Sequence, residues 1–372
     1  MTQHDQSESP WSAIDAVAVA TGDCHDPALA VTSDAVHLVW IRDRLIHHAR
    51  CVDGMWQSPT RVASGEQPVL AAGPDGILHC LFANWFLGNC EIYHLTFNGA
   101  RWSFPELVSR TPGVSRNAAM TLDGEAKGHI VWDDDTPGYH MIYAASRGQV
   151  AWLHAPVPNV TGTRPTVAIT PSGELHVAWQ EQVMAVEDGA VIGGSHQVLS
   201  CVLADGMWSL PELVSENRTA EAVAPVLAAG PGGDVHIVWQ EQFEGRYLIK
   251  YAARLASSWS TSGPISDGEA DARLPHVYAD ADGVHVLWAE GAAIQHRTRA
   301  SAIDAPWDDV ETVALEPELS EMAAALGPSG DVFVIWSAYE AIDRRCIRYT
   351  KRDRPTEHKI WMPVIGGGKQ KK

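Results

Sequence analysis

The sequence predicts an all-β protein: a seven-bladed β-propeller of four-stranded antiparallel blades, its ring closed by the N-terminal strand in blade seven. Three observations predict it. A strand-like run ending in an aromatic residue recurs seven times at intervals of about 49 residues, a second tryptophan-led run recurs in step with it, and the chain ends hold complementary pieces of one unit.

In the first register a histidine stands three residues before a tryptophan: His37 and Trp40, His129 and Trp132, His176 and Trp179, His236 and Trp239, His285 and Trp288. His79-Cys-Leu-Phe82 and Phe333-Val-Ile-Trp336 are degenerate copies. The second register opens on Trp56, Trp102, Trp152, Trp208, Trp259, Trp307 and Trp11. Only Trp85 and Trp361 of the 15 tryptophans fall outside both patterns.

Each unit reads as four short strands. The first starts near a proline, as in Pro27-Ala-Leu-Ala and Pro225-Val-Leu-Ala, where a missing N–H need not break the ladder. Turns such as Pro74-Asp-Gly76 lead into the His-x-x-Trp strand. An alternating third strand such as Ile249-Lys-Tyr-Ala follows, and the Trp-Ser run is the fourth. The last unit, from about Leu319 to Thr350, lacks a fourth strand, while Trp11 to Ala20 is a fourth strand without a blade. We therefore expect one propeller over residues 11–351, a disordered arm at 1–10 and a basic tail at 352–372.

The 372 residues carry 46 acidic and 27 basic side chains, a net charge of −19, which opposes general binding of nucleic acid. No apolar run approaches the ~18 residues of a membrane helix, and the polar, acidic N-terminus does not read as a signal peptide. The expectation is a cytoplasmic protein without nucleic-acid or membrane partners, or a secreted one if a signal has been removed. Six cysteines without a C-x-x-C pair indicate neither zinc nor a disulfide framework. Phosphate-cradling, dinucleotide and zinc-protease motifs are missing, so no cofactor is expected. The repeated histidines lie in nearly every blade and cannot converge on one ion, so packing or a blade-to-blade hydrogen bond is expected of them and no metal site.

Function is expected where the copies disagree. The start of strand one and the loop after strand two should open on one face around the central channel. There the variable residues are Arg116, Asn117, Arg164 and Arg273 at the strand starts, and Trp85, Asp133, Gln180, Gln240 and Glu290 after the second strands. Trp85 suits a stacking platform for a sugar or a partner's pocket. Glu181, Glu241, Glu290 and Asp134 each stand two residues past a tryptophan; carboxylates at one level can raise one another's pKa, supply an acid/base pair, hold a cation or form a solvated rim.

The blade pattern, with worn Asp-box turns at Asp53-Gly-Met-Trp56 and Asp205-Gly-Met-Trp208, resembles the sialidase-like (BNR-repeat) propellers over residues 11–351. The resemblance implies the fold. The sialidase catalytic set is not matched; Arg273-Leu-Pro275 and Arg164-Pro165 are its nearest traces. The resulting expectation is a non-catalytic recognition module for a glycan or protein on the channel face. The alternative is a carbohydrate-active hydrolase or lyase using Glu181, Glu241, Asp134 and Tyr139; a second is an assembly scaffold. The oligomeric state is left open.

Overall fold

Burial follows the two tryptophan registers. Trp40, Trp132, Trp179, Trp239, Trp288 and Trp336 are wholly buried, as is Phe82 in the degenerate copy. The computed structural model describes residues 9–354 except 18, 87, 150, 188–189, 256–257, 302–304 and 342–343. The expected N-terminal arm and basic tail lie almost entirely outside the described residues.

Seven antiparallel sheets of four or five strands account for the described secondary structure. Blade one, for example, runs His25–Val31, Val36–Arg42, Leu45–Val52, Met55–Trp56 and Thr60–Ser64. Its outer strand is broken at Pro59, which has no N–H to give the ladder. The first strands of successive blades touch in cyclic order, with blade seven returning to blade one.

Closure is as expected from the sequence. Asp15–Ala16 pairs with the last strand, Arg344–Arg352, with Asp15 opposite Tyr349 and Ala16 opposite Arg348. The contact extends through Ser12 N to Lys351 O (2.8 Å) and Val17 N to Ile347 O (2.9 Å). Arg345 fastens the same seam by donating from Nε to Asp23 (2.8 Å) and from Nη1 to Glu321 (3.3 Å).

The outer-strand tryptophans stitch each blade to the preceding one. Trp102 of blade two meets His48 edge-on, Trp152 meets His94, Trp307 meets Tyr251, Trp11 meets His296, and Trp56 meets Tyr349 of blade seven, with ring centroids 5.0 to 5.8 Å apart. The repeated second-strand histidines complete these contacts from within the blade. Because an indole N–H only donates, Trp102 fixes His48 Nδ1 as its acceptor (3.3 Å). His48 Nε2–H then donates to His37 Nδ1 (3.1 Å), His37 Nε2–H to Thr32 Oγ1 (3.2 Å), and Thr32 to Asp34 (2.7 Å). His79 with His94 and His285 with His296 form similar pairs at 3.1 and 3.2 Å. The expectation of packing and hydrogen bonding for these residues holds.

Every first strand contains a register shift near its start, at the Pro in five blades. Such a bulge leaves one residue off the ladder and accommodates proline. Asp26, Gln67, Asn117, Arg164, Ala224 and Leu274 occupy the bulges with φ between 48° and 55°. That conformation is costly for a side chain such as Leu, so the surroundings must hold it.

Two segments read as loops are strands. Leu175–Glu187 and Ala190–Ala204 form one long hairpin in blade four, and Leu78–Phe86 carries Trp85 within a strand paired to Asn89–Phe97. The continuous apolar run Val183-Met184-Ala185-Val186 carries the blade-four ladder past the level at which the other blades turn.

Two outcomes follow from this packing. Trp11→Ala removes a buried indole from the closing strand and should cost about 3–5 kcal/mol in a denaturant melt. Burial also lowers the pKa of His37 and His285 to about 4 and of His48 and His94 to about 3. The unfolded chain protonates these histidines first, near 6.5, so their contribution is complete above that value and is lost progressively as the pH falls. A Tm series should decline steadily from about pH 6.5 toward pH 4.

Candidate functional site

Strand register brings the variable positions together. Arg116 lies opposite Asp133, Thr163 opposite Gln180, Val223 opposite Gln240, and Arg273 opposite Ala289. The starts of first strands and the ends of second strands thus share one face around the axis.

Many of the expected ligand-binding residues are occupied with holding the ring. The bulge amides need acceptors, and residues following the second-strand aromatic supply them: Arg164 N donates to Asp133 (3.0 Å), Ala224 N to Gln180 (2.9 Å), and Leu274 N to Gln240 (3.3 Å). Arg273 Nη2 donates to Leu319 O of the next blade (3.0 Å).

The carboxylates two residues past a tryptophan are likewise engaged. Glu181 accepts from Trp179 Nε1 (3.1 Å) and Thr161 Oγ1 (2.6 Å), Glu241 from Trp239 Nε1 (3.1 Å), and Glu290 from Trp288 Nε1 (2.8 Å). Burial, with Asp267 nearby, raises the pKa of Glu290. Asp134 is fully buried and accepts from Thr111 Oγ1 (2.6 Å), Ser115 Oγ (2.7 Å) and both the amide and hydroxyl of Thr136. Burial would raise its pKa, but these hydrogen bonds outweigh that and lower it. These acids thus meet the polar needs of buried indoles and a loop.

The remaining residues form a continuous sector over blades one to four, with Asp133 at its hub. This carboxylate is 1% exposed and accepts from Asn117 Nδ2 (2.8 Å) as well as the Arg164 amide, while His140 Nδ1 lies 3.5 Å from its other oxygen. Burial raises the pKa of Asp133, against the pull of Asn117, His140 and Arg164. Tyr139 and His140 are both more than half exposed. Their loop is fixed from below by Asp134 and by Asp135, which accepts from Val114 N (2.6 Å).

Beside this hub the Arg116 guanidinium lies over the Trp85 ring, 5.2 Å from its centroid, and Trp85 Nε1 donates to Glu66 (2.5 Å). Trp85 is 41% exposed and lines a cavity of about 290 Å³ with His25, Asp26, Arg44, Glu66 and Asn84. Exposed Phe86, Met184, Phe243 and Tyr339 continue the apolar rim on the second-strand ends of blades two, four, five and seven.

Sequence reasoning places His140 at the end of the variable blade-three loop and His25 and Asp26 at a variable strand start without giving them a role, and does not single out Glu66, the acceptor of Trp85 in the cavity that His25 and Asp26 also line. His25, Asp26 and Glu321 bring ligand-type atoms within 4.8 Å of one another. The oxygens of Glu321 already accept from Asp26 N (2.8 Å), Ser337 Oγ (2.6 Å) and Arg345, so a guanidinium supplies the positive charge there.

Comparison with known proteins places the fold. No family model matches the chain, and no curated protein does. A polysaccharide lyase described as a PL25 ulvan lyase matches with a TM-score of 0.66 at 10% identity, covering 88% of this chain and 94% of the lyase. The polysaccharide lyase Uly1 matches with a TM-score of 0.57 at 10% identity, covering 95% and 94%. A protein of unknown function from Dyadobacter fermentans matches with a TM-score of 0.51 at 12% identity, covering 92% and 99%. The chain is a seven-bladed β-propeller whose structural neighbours also include sialidases and an arabinanase, at TM-scores of 0.46 to 0.48.

The assignment of Glu241 is directly testable. Glu241→Ala strands a buried indole N–H and should lower stability by about 1–3 kcal/mol in a denaturant melt.

Proposed function

We propose that this protein binds an acidic polysaccharide across the channel face of blades one to four and cleaves it by β-elimination. The observation that carries the reading is the arrangement around Asp133: an exposed His140 beside a buried carboxylate, with Arg116, Asn117, Arg164 and Tyr139 on the same sector. The shared fold of two polysaccharide lyases, one of them also solved bound to -[GlcA(1-4)Rha3S]-, supports the substrate class.

In this reading Arg116 and Arg164 neutralise the uronate carboxylate, which acidifies the proton on the adjacent carbon. His140, turned by Asp133 through Nδ1, takes that proton at Nε2. The electron pair forms a carbon–carbon double bond as the glycosidic carbon–oxygen bond on the β carbon breaks, and Tyr139 protonates the departing oxygen. Hydrolysis by two carboxylates is less well supported, because Glu181, Glu241 and Asp134 are bound into the scaffold. Trp85 and the exposed aromatic rim offer stacking surfaces for neighbouring sugars.

The test is ultraviolet detection of unsaturated product over a panel of uronate-containing and neutral polysaccharides. Product is expected from uronate polymers alone. His140→Ala should lower kcat by about 10²–10⁴-fold with the Tm unchanged. Binding of a polymer without product would assign the chain to recognition instead, and equal turnover by His140→Ala would remove His140 from the mechanism.

A further inference from the structure

A second groove lies between the outer strands of blades one and two. The outer strands of blades one and two frame a cavity of about 530 Å³ whose lining includes Arg50, Arg61, Arg101, Trp102 and Phe104 and contains no Asp or Glu. In a chain with a net charge of −19, three arginines facing one groove without an acid are a local exception. Arg61 and Arg101 are exposed, and Phe104 stands almost entirely in solvent. Arg50 is held in place by Nε donating to Gln57 (2.6 Å) and Nη1 donating to Gly99 O (3.3 Å).

The repeat shows what is different here. The outer-strand run Trp102-Ser-Phe-Pro105-Glu106 recurs as Trp208-Ser-Leu-Pro211-Glu212, and in both the acid pairs with an arginine of the next blade: Glu106 with Arg147 and Glu212 with Arg254. The corresponding run in blade one is Trp56-Gln-Ser-Pro59-Thr60. Threonine stands at the place of the acid and, by the same register, Phe97 at the place of the arginine, so Arg50, Arg61 and Arg101 are additional to the repeat's own pair. The groove between blades two and three, which keeps its Glu106–Arg147 pair, is also smaller, about 310 Å³.

We infer that the groove between blades one and two is a second binding site for an acidic saccharide, in which the arginines hold sulfate or carboxylate groups and Phe104 and Trp102 offer ring faces to the sugar. The turn carrying Arg101 joins strands three and four, at the opposite end of the blade from the loops that join strands two and three. The groove therefore lies on the outer edge and takes a different stretch of polymer from the channel-face site. The saccharide class rests on the reading above; the anion selectivity rests on the groove alone.

The experiment is calorimetric titration of the full chain with dextran sulfate, with neutral dextran and a DNA duplex as controls, and needs no turnover. Arg61→Gln with Arg101→Gln, both exposed and neither lining the Trp85 cavity, should weaken dextran sulfate binding by about tenfold or more with an unchanged Tm, while Arg116→Ala leaves an outer-edge binding event intact. Raising the salt concentration should weaken the wild type more than the double variant. Equal affinity in wild type and double variant, or no binding of dextran sulfate by the wild type, would overturn the site. Tighter binding of the duplex than of dextran sulfate would overturn the saccharide assignment. Failure to find elimination product would count against the proposed activity and leave this groove standing.

Discussion

A tryptophan buried between blades brings an N–H into a place water does not reach, and the cost of leaving that donor unpaired shapes much of the molecule. In blades four, five and six a glutamate two residues further along the same strand accepts the bond; in blade seven Glu316, reaching from the preceding connection, does so. Trp40 and Trp132 have no such acceptor among the described residues. In blade one the residue two further on is Arg42, and in blade three it is Asp134, committed to three hydroxyls. The acids are thus distributed by the requirements of the indoles, and a carboxylate used in this way is poorly placed to serve as an acid or base for a substrate.

A related constraint governs the inner ring. The bulge at the start of each first strand turns an amide away from its own ladder, and in five blades a side chain of the preceding blade accepts it: Gln67, Asp133, Gln180, Gln240 and Glu321. The left-handed backbone at these points is tolerated because the neighbouring blade holds it. Fasteners and candidate ligand contacts therefore occupy one level of one face, and Asp133 belongs to both groups. Replacing it would disturb the seam between blades three and four as well as the orientation of His140, so His140 is the cleaner probe of chemistry.

The architecture was legible in the sequence because each blade repeats the same burial problem: two tryptophans at fixed spacing mark a sheet and its seam, and the unmatched strand at Trp11 marks the closure. The site was legible only as a face. Position relative to Trp indicated that Glu181, Glu241 and Glu290 lie at one level, but the direction of an indole N–H is a tertiary fact, and it gives each of these acids a structural bond the sequence does not show. His140 carried no repeat signal, and its significance appears only when the blade-three loop folds over Asp133. The long hairpin of blade four was read as a loop because its glycines and acids resemble turn residues, whereas the pairing of both arms extends the ladder.

The overall charge sets the terms on which an acidic polymer can be held. A surface with a net charge of −19 repels a polyanion at long range, and that repulsion is screened over about 10 Å at moderate salt. Attraction must come from arginines close enough to touch the ligand; Arg116 and Arg164 stand on the channel face, with Arg44 in the adjoining Trp85 cavity, and Arg50, Arg61 and Arg101 line the separate outer groove. Two weak local holds on one long chain reinforce each other through effective concentration, whereas a short acidic oligosaccharide meets the repulsion with a single hold. If both proposed sites hold one polymer, discrimination by chain length would follow from the charge distribution itself, without a pocket that measures the polymer.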